Sequence, residues 1–326
     1  MDRFSIPSSL ISAKLSQNVA ELRSRITDVS TEAVTGQRAD LTKHLSGRIG
    51  DAMLSQKALQ DIQTDRGTLN LRASRLDVVQ KSLASIQTST DGLPARLHAA
   101  VGAESQLEVA GVARDAANAI DTLMSSMNVR LGDRYLFSGD ATSTQPFTNK
   151  DALLADIRLM AETAADAADF EAQLDTYFNS PDGGWQQSIY QGAATASDPD
   201  AVTPIDPAIT KLMSGLAVLA LAGENDSPAL LRTSGTSIEA AADKVAEGQV
   251  ALTNLRANVG VIENRIEQGK AALDAEEMIL TQVFSDIASR DQYEAAAELR
   301  ELESNLEASY LLTARLSNLS LLNFLR

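Results

Sequence analysis

The chain has 326 residues, a formal net charge of −16 and no cysteine. That length can bury a core and hold two or three modules, and the lack of cysteine excludes both a disulfide framework and a thiolate site. The acidic balance argues against a nucleic-acid partner, which needs clustered Lys and Arg against phosphate. Hydrophobic residues make up 44% and aromatics only 4%, a mix that suits helices packed along stripes better than a thick globular core.

The first predicted element is a helix. Leu15, Leu22 and Val29 recur every seven residues with Val19, Ile26 and Ala33 interleaved, the 4-3 spacing of a helix that packs along one stripe. Residues 1–25 alternate polar and apolar without a continuous apolar run, so no cleavable signal peptide is expected. A second helix is predicted from Ile49 to Ile86, with Leu69, Ala73, Leu76, Val79, Leu83 and Ile86 on one face, and Asp91-Gly92 with Pro94 to end it. A third carries Leu107, Ala110, Ala113, Ala117, Ile120, Met124, Met127 and Leu131 and is expected to stop at Gly132.

Residues 138–210 break the pattern. They hold twelve acidic against two basic residues and five of the eight prolines, and eight of the thirteen aromatics fall between Tyr135 and Tyr190. Aromatics fill the core of a small module efficiently, so a compact central domain is predicted, helical over Asp151–Phe178 with a strand at Tyr135–Ser138. Asp206 as N-cap and Pro207 at the first helical position then open an apolar helix reaching Ala222. Its longest apolar run, Leu212–Gly223, is too short to cross a bilayer, and burial beneath the central domain or against the bundle is expected.

The strongest periodicity follows. Ile238, Val245, Leu252, Val259, Ile266, Leu273, Leu280 and Ile287 are spaced by seven, predicting one helix of about 50 residues and on the order of 75 Å. Last comes an amphipathic helix with Leu299, Leu302, Leu306, Tyr310, Leu316 and Leu319, finishing in Leu321-Leu322-Asn323-Phe324. A bare stripe of that kind calls for a partner helix, and the N-terminal stripe offers one.

Little in the chain points to chemistry. His44 and His98 stand far apart in sequence, and neither lies beside a ligand cluster. Asp198, Asp200 and Asp206 occupy a proline-rich loop without the glycine and spacing of a calcium loop. No glycine-rich turn is followed by Lys-Ser/Thr. Accordingly neither a catalytic residue nor a metal or cofactor is expected, nor a nucleic-acid or membrane partner.

The wording of the ends resembles one family. Thr35-Gly36-Gln37-Arg38 is similar to the Ser-Gly-(Lys/Gln)-Arg turn of bacterial flagellins, and Leu306-Glu307-Ala308-Ser309-Tyr310 through Leu319-Ser320-Leu321-Leu322-Asn323-Phe324-Leu325 resembles their C-terminal helix. Arg134-Tyr135-Leu136-Phe137-Ser138-Gly139 with Pro146-Phe147 resembles the hook–filament junction members of that family (hook-associated protein three, FlgL type). The Asn-x-Pro-Ser-Asp-Asp-Pro-like segment that often follows the first turn is replaced here by Ala39-Asp40-Leu41-Thr42-Lys43-His44-Leu45-Ser46.

The fold expected is mainly α: an elongated bundle of long heptad-patterned helices formed by both chain ends, with a small α+β central domain. The segments are an N-terminal assembly helix (1–40), a rod half (41–134), the acidic surface domain (135–210), the second rod half (211–289) and a C-terminal assembly helix (290–326). Leu15, Val19, Leu22, Ile26 and Val29 are expected to pack with Leu299, Leu302, Leu306, Tyr310, Leu316, Leu319 and Phe324 as the assembly interface.

The resemblance implies a structural component of the flagellum, exported by the flagellar type III apparatus with an uncleaved N-terminal signal. The partners it implies are further copies in a ring or tube, the neighbouring FlgK-type hook-associated protein, flagellin and an export chaperone of FlgN type. A filament-forming flagellin is the alternative within the family, and a cytoplasmic coiled-coil scaffold the alternative outside it.

Overall fold

A computed structural model describes the backbone of residues 8–40, 49–224, 226–233 and 235–324, and their side chains apart from 8–12, 49, 51, 233, 235 and 316–324. The architecture is mainly α-helical, with one two-stranded ribbon among the described residues. Contacts divide the chain into an inner unit, Thr68–Lys270, and a terminal unit made of Met1–Gly67 with Ala271–Arg326. Helices α2 (Ile49–Thr90) and α9 (Gly235–Ala288) contribute to both.

The inner unit is organised around α7 (Pro207–Ala222). Asp206 caps it, its carboxylate accepting from the Ala208 N–H at 2.8 Å, with Pro207 in the first turn. Ile209 to Leu221, apart from Lys211, are buried, as expected of a helix apolar on every side. It packs against α4 (Gln106–Met127), α5 (Lys150–Thr163) and α6 (Ala167–Asn179). Its approach to α9 is close: a Cβ at Gly215 would lie 2.6 Å from the Ala241 carbonyl oxygen, and one at Gly248 would lie 2.9 Å from the Leu212 nitrogen. Glycine at both positions lets the two backbones meet.

Several sequence expectations are refined. Pro94 does not simply end α2; Gly92, at φ +70°, turns the chain and Pro94 sits in the first turn of α3 (Leu93–Gly102). Helix α4 stops at Met127, not at Gly132, with Asn128 as its C-cap. Gly132 (φ +61°) instead turns the hairpin of β1 (Arg130–Leu131) and β2 (Arg134–Tyr135). The strand therefore ends at Tyr135 and does not reach Ser138. Leu107, assigned to the apolar face of α4, is 79% exposed in the first turn. The predicted 151–178 helix is two, α5 and α6, because Asp166 caps a fresh N-terminus by accepting from the Asp169 N–H at 2.9 Å.

The aromatics supply a common core with the helices. Phe137, Phe147, Phe170, Phe178, Trp185 and Tyr190 are all buried and belong to the same cluster as Leu123, Leu216 and Val245. Trp185, in a single π-helical turn (Trp185–Ile189), donates from Nε1 to the Pro204 carbonyl at 3.1 Å. Its ring centroid lies 5.2 Å from that of Phe147 and 5.3 Å from that of Phe178. Helix α8 (Ala229–Thr233) completes this unit.

The terminal unit contains α1 (Ser8–Thr35), the start of α2, the end of α9 and α10 (Gln292–Phe324). Helices α1 and α10 lie antiparallel. Glu32, near the end of α1, meets Arg290 just before α10, whereas Arg23 meets Tyr310 further along it. Between α2 and α9, Arg66 forms ion pairs with Asp274 at 2.7 Å and with Glu277.

Candidate assembly interface

The helix pair α1–α10 is joined at its base by two turns. Gly36, at φ +67°, ends α1 in a backbone conformation that residues with a Cβ rarely adopt. The next residues form an antiparallel bridge to the α9–α10 junction: Arg38 N–H donates to the Ala288 carbonyl at 2.9 Å, and Arg290 N–H to the Gly36 carbonyl at 2.9 Å. Asp291 caps α10 by accepting from the Tyr293 N–H at 2.8 Å.

Charges reinforce this clasp. The Arg290 guanidinium donates to Glu32 and to Glu298, and the side chains of Arg290 and Glu32 are each only 10% exposed. Glu32 also accepts from the Ala39 N–H at 2.9 Å, and Arg25 donates to Glu298 at 2.8 Å. Hydrogen bonding from Arg290, then from Arg25, holds the Glu298 carboxyl below the usual carboxylate range despite its partial burial. None of these four charged residues was expected from the heptad pattern. The available signal was the break Ser289-Arg290-Asp291 between two helical runs, opposite the Gly36 turn.

Burial weakens away from the clasp. Val29, Ala295 and Leu302 are buried together, with Leu22, Ile26, Ala33 and Leu299 packed against them. Further out, Leu15, Val19 and Leu306 are half-buried. Tyr310 is largely exposed, although its hydroxyl accepts from Arg23 Nε at 2.9 Å. Leu311 and Leu312, at 64% and 55%, face solvent. The intrachain pair thus brings together Leu22, Ile26 and Val29 with Leu299 and Leu302, of which Val29 and Leu302 are buried, and Leu15, Val19 and Leu306 are, like Leu22, Ile26 and Leu299, covered only in part. The side chains of Leu316, Leu319 and Phe324 lie outside the described residues, as does the N-terminal segment 1–7.

The heptad stripe of α9 shows the same contrast. Ile238, Val245, Leu252, Val259 and Ile266 are buried in the inner unit, whereas Leu273, Leu280 and Ile287 in the terminal unit are half-buried. Among described residues, the large apolar side chains left exposed in the terminal unit are Val34, Met53, Leu54, Met278, Ile279, Val283, Tyr293, Tyr310, Leu311 and Leu312. Those of the larger inner unit are Leu71, Leu107, Leu159, Val250 and Val261.

The polar candidates are occupied by structural work. Asp200 accepts from Arg72 at 2.6 Å, Asp198 pairs with Arg75 at 3.4 Å, and Asp206 is the α7 cap. His98 lies 3.5 Å from Asp243 at the surface, and His44 lies outside the described residues. Among the described residues no group of three or more His, Cys, Asp or Glu could hold a metal ion, and no helix is long and apolar enough to cross a membrane.

Residues 242–325 match the bacterial flagellin C-terminal helical region. The C-terminal part of this chain is thus similar to that region of bacterial flagellins. The matched stretch contains the whole of α10 and the half-buried residues Leu273, Leu280 and Ile287. Among solved structures, FlgL from Bacillus cereus aligns over 73% of this chain and 97% of its own, with 14% identity and a TM-score of 0.38. A flagellar hook-associated protein from Vibrio parahaemolyticus aligns over 83% of this chain and 96% of its own, with 13% identity and a TM-score of 0.37. Both likenesses are loose in geometry. No curated protein matches the chain.

Proposed function

We propose that the protein is a structural subunit of the bacterial flagellum, a hook-associated junction protein that connects hook to filament and offers the platform on which flagellin assembles. One observation carries this reading. The stretch that matches the flagellin C-terminal region contains, from Leu273 onward, the part where the apolar stripes of α9 and α10 lose their cover. Burial of a Leu or Ile side chain stabilises by roughly 1.5–3 kcal/mol, so half-buried residues repeated along two helices favour association with neighbouring copies. In this reading the ends 1–40 and 290–326 are assembly helices, segments 41–134 and 211–289 form a rod, and the acidic segment 135–210 faces outward. The role is non-catalytic.

The junction reading is preferred to a filament subunit because of Arg134–Gly139 and Pro146-Phe147. This segment holds the inner unit together: Phe137 and Phe147 are buried, and the Tyr190 hydroxyl lies 3.1 Å from the Phe137 carbonyl oxygen and 3.0 Å from that of Ala193. The proposed partners are further copies in a ring or tube, a FlgK-type protein, flagellin and a FlgN-type chaperone, with export through the flagellar type III apparatus. Deleting the coding sequence in the source organism should leave hooks without filaments and flagellin lost to the medium. Normal filaments on the deletion strain would overturn the junction role, and growth of long filaments from the purified chain alone would assign it to the filament instead.

A further inference from the structure

We propose that Arg290 is the register-setting residue of the terminal helix pair, fixing which turn of α10 lies against which turn of α1 and so presenting the uncovered apolar residues beyond in one defined array; this rests on the reading of that pair as the assembly element. The need for such a residue comes from the repeat itself. Leucines three or four apart recur along α10 (Leu299, Leu302, Leu306) and Leu22, Ile26 and Val29 recur along α1, so a slip of one turn replaces one apolar contact by another of similar size. Heptad stripes alone specify register weakly, and a polar residue at one position commonly decides it.

Arg290 has the geometry for that task. It is nearly buried, and its guanidinium forks between Glu32 of α1 and Glu298 two turns into α10, so both helices are tied to one planar group. A one-turn slip would part Arg290 from Glu32 and leave a carboxylate that is now buried without its partner, a large penalty compared with the small change in apolar contact. Glu32 is further fixed because it accepts from the Ala39 N–H, which ties the reference point to the Gly36 turn. The charged groups around the fork are Glu21, Arg25, Asp28, Glu32, Arg38 and Asp40 on the α1 side and Glu298 on α10. Lysine would not replace Arg290, since a single ammonium lacks the planar fork that serves two carboxylates at once.

The chain has no cysteine, so designed pairs report register directly. In the full-length protein, Ile26→Cys with Leu299→Cys samples the native register, in which neighbouring Arg25 meets Glu298, and Ile26→Cys with Leu302→Cys a slip of one turn. The native pair should cross-link in large excess. Arg290→Met should lower the ratio of native to slipped cross-linking about tenfold, and Arg290→Lys should not restore it. An unchanged ratio in Arg290→Met would overturn the proposal and leave register to the backbone bridge alone. Should Arg290→Met lose the terminal helices outright, Glu32→Gln, which removes the charge that Arg290 meets on α1 and keeps the Glu298 pair, should still lower the ratio, and an unchanged ratio there would overturn the proposal equally. Recovery of tagged chains on isolated flagella separates the two claims. A wild-type chain with the native ratio that is absent from flagella removes the assembly reading and leaves the register role standing.

Discussion

The inner and terminal units are built from the same kind of helix and end in different states. Helix α9 runs through both with one uninterrupted heptad, yet its stripe is closed over Ile238–Ile266 and half-open over Leu273–Ile287. The inner unit has α7, apolar on all sides, and a cluster of aromatics to fill the space beside the stripe. Among the described residues the terminal unit has no comparable filler: its cluster is three buried residues with four more packed against them, held at one end by a backbone and charge clasp. Equal periodicity therefore does not mean equal burial. What differs is the supply of apolar volume around the stripe, and along α9 the shortfall begins at Leu273, inside the part that matches the flagellin C-terminal region.

The largest expected contrast comes from one substitution made in each unit. Leu252→Ala should destabilise the inner unit by about 2–5 kcal/mol, as large-to-small changes in closed cores do. Leu280→Ala, on the same stripe, should cost about 1 kcal/mol or less in the isolated chain and yet impair incorporation into flagella. Chemical denaturation with incorporation assays checks both, and equal destabilisation would erase the distinction between the units. Next, Gly248→Ala should cost about 1–3 kcal/mol by pushing α9 off α7, read as a lower thermal midpoint without effect on hydrogen exchange at the clasp.

A smaller effect concerns pH. Because Arg290 and Arg25 hold Glu298 below the ordinary carboxylate range, its charge contributes to the terminal unit above the unfolded value of about 4.3. That contribution is lost as pH falls through the depressed value. Glu298→Gln should weaken the α1–α10 pair at neutral pH and remove this part of the acid dependence, as followed by hydrogen exchange of 292–315. The smallest effect should come from Lys57→Ala. Its ion pair with Asp61 at 2.5 Å is an exposed i,i+4 contact, and its loss should change stability by less than about 0.5 kcal/mol.

The long helices were legible because their signal is repetitive. The stripe of eight positions placed α9 at 238–287 against an observed Gly235–Ala288, and Asp206-Pro207 marked the start of α7. Boundaries set by one residue were less legible. Gly132 reads equally as a helix stop or a hairpin turn, because both need positive φ. Asp166 reads as one more acidic residue until its carboxylate is seen capping α6. In the terminal helices the spacing identified the stripe but not how well it is covered, since cover depends on residues distant in sequence. The Glu32–Arg290 arm of the fork was hidden for the same reason: an ion pair between residues 258 positions apart leaves no local pattern.

Hydrogen exchange on the full-length chain, free and incorporated into flagella, tests the central claim most directly. In the free chain, amides of 235–266 should be strongly protected, those of 13–28 and 302–315 weakly, and incorporation should slow exchange mainly in the second group. Uniformly strong protection of both groups in the free chain, unchanged on incorporation, would contradict the account.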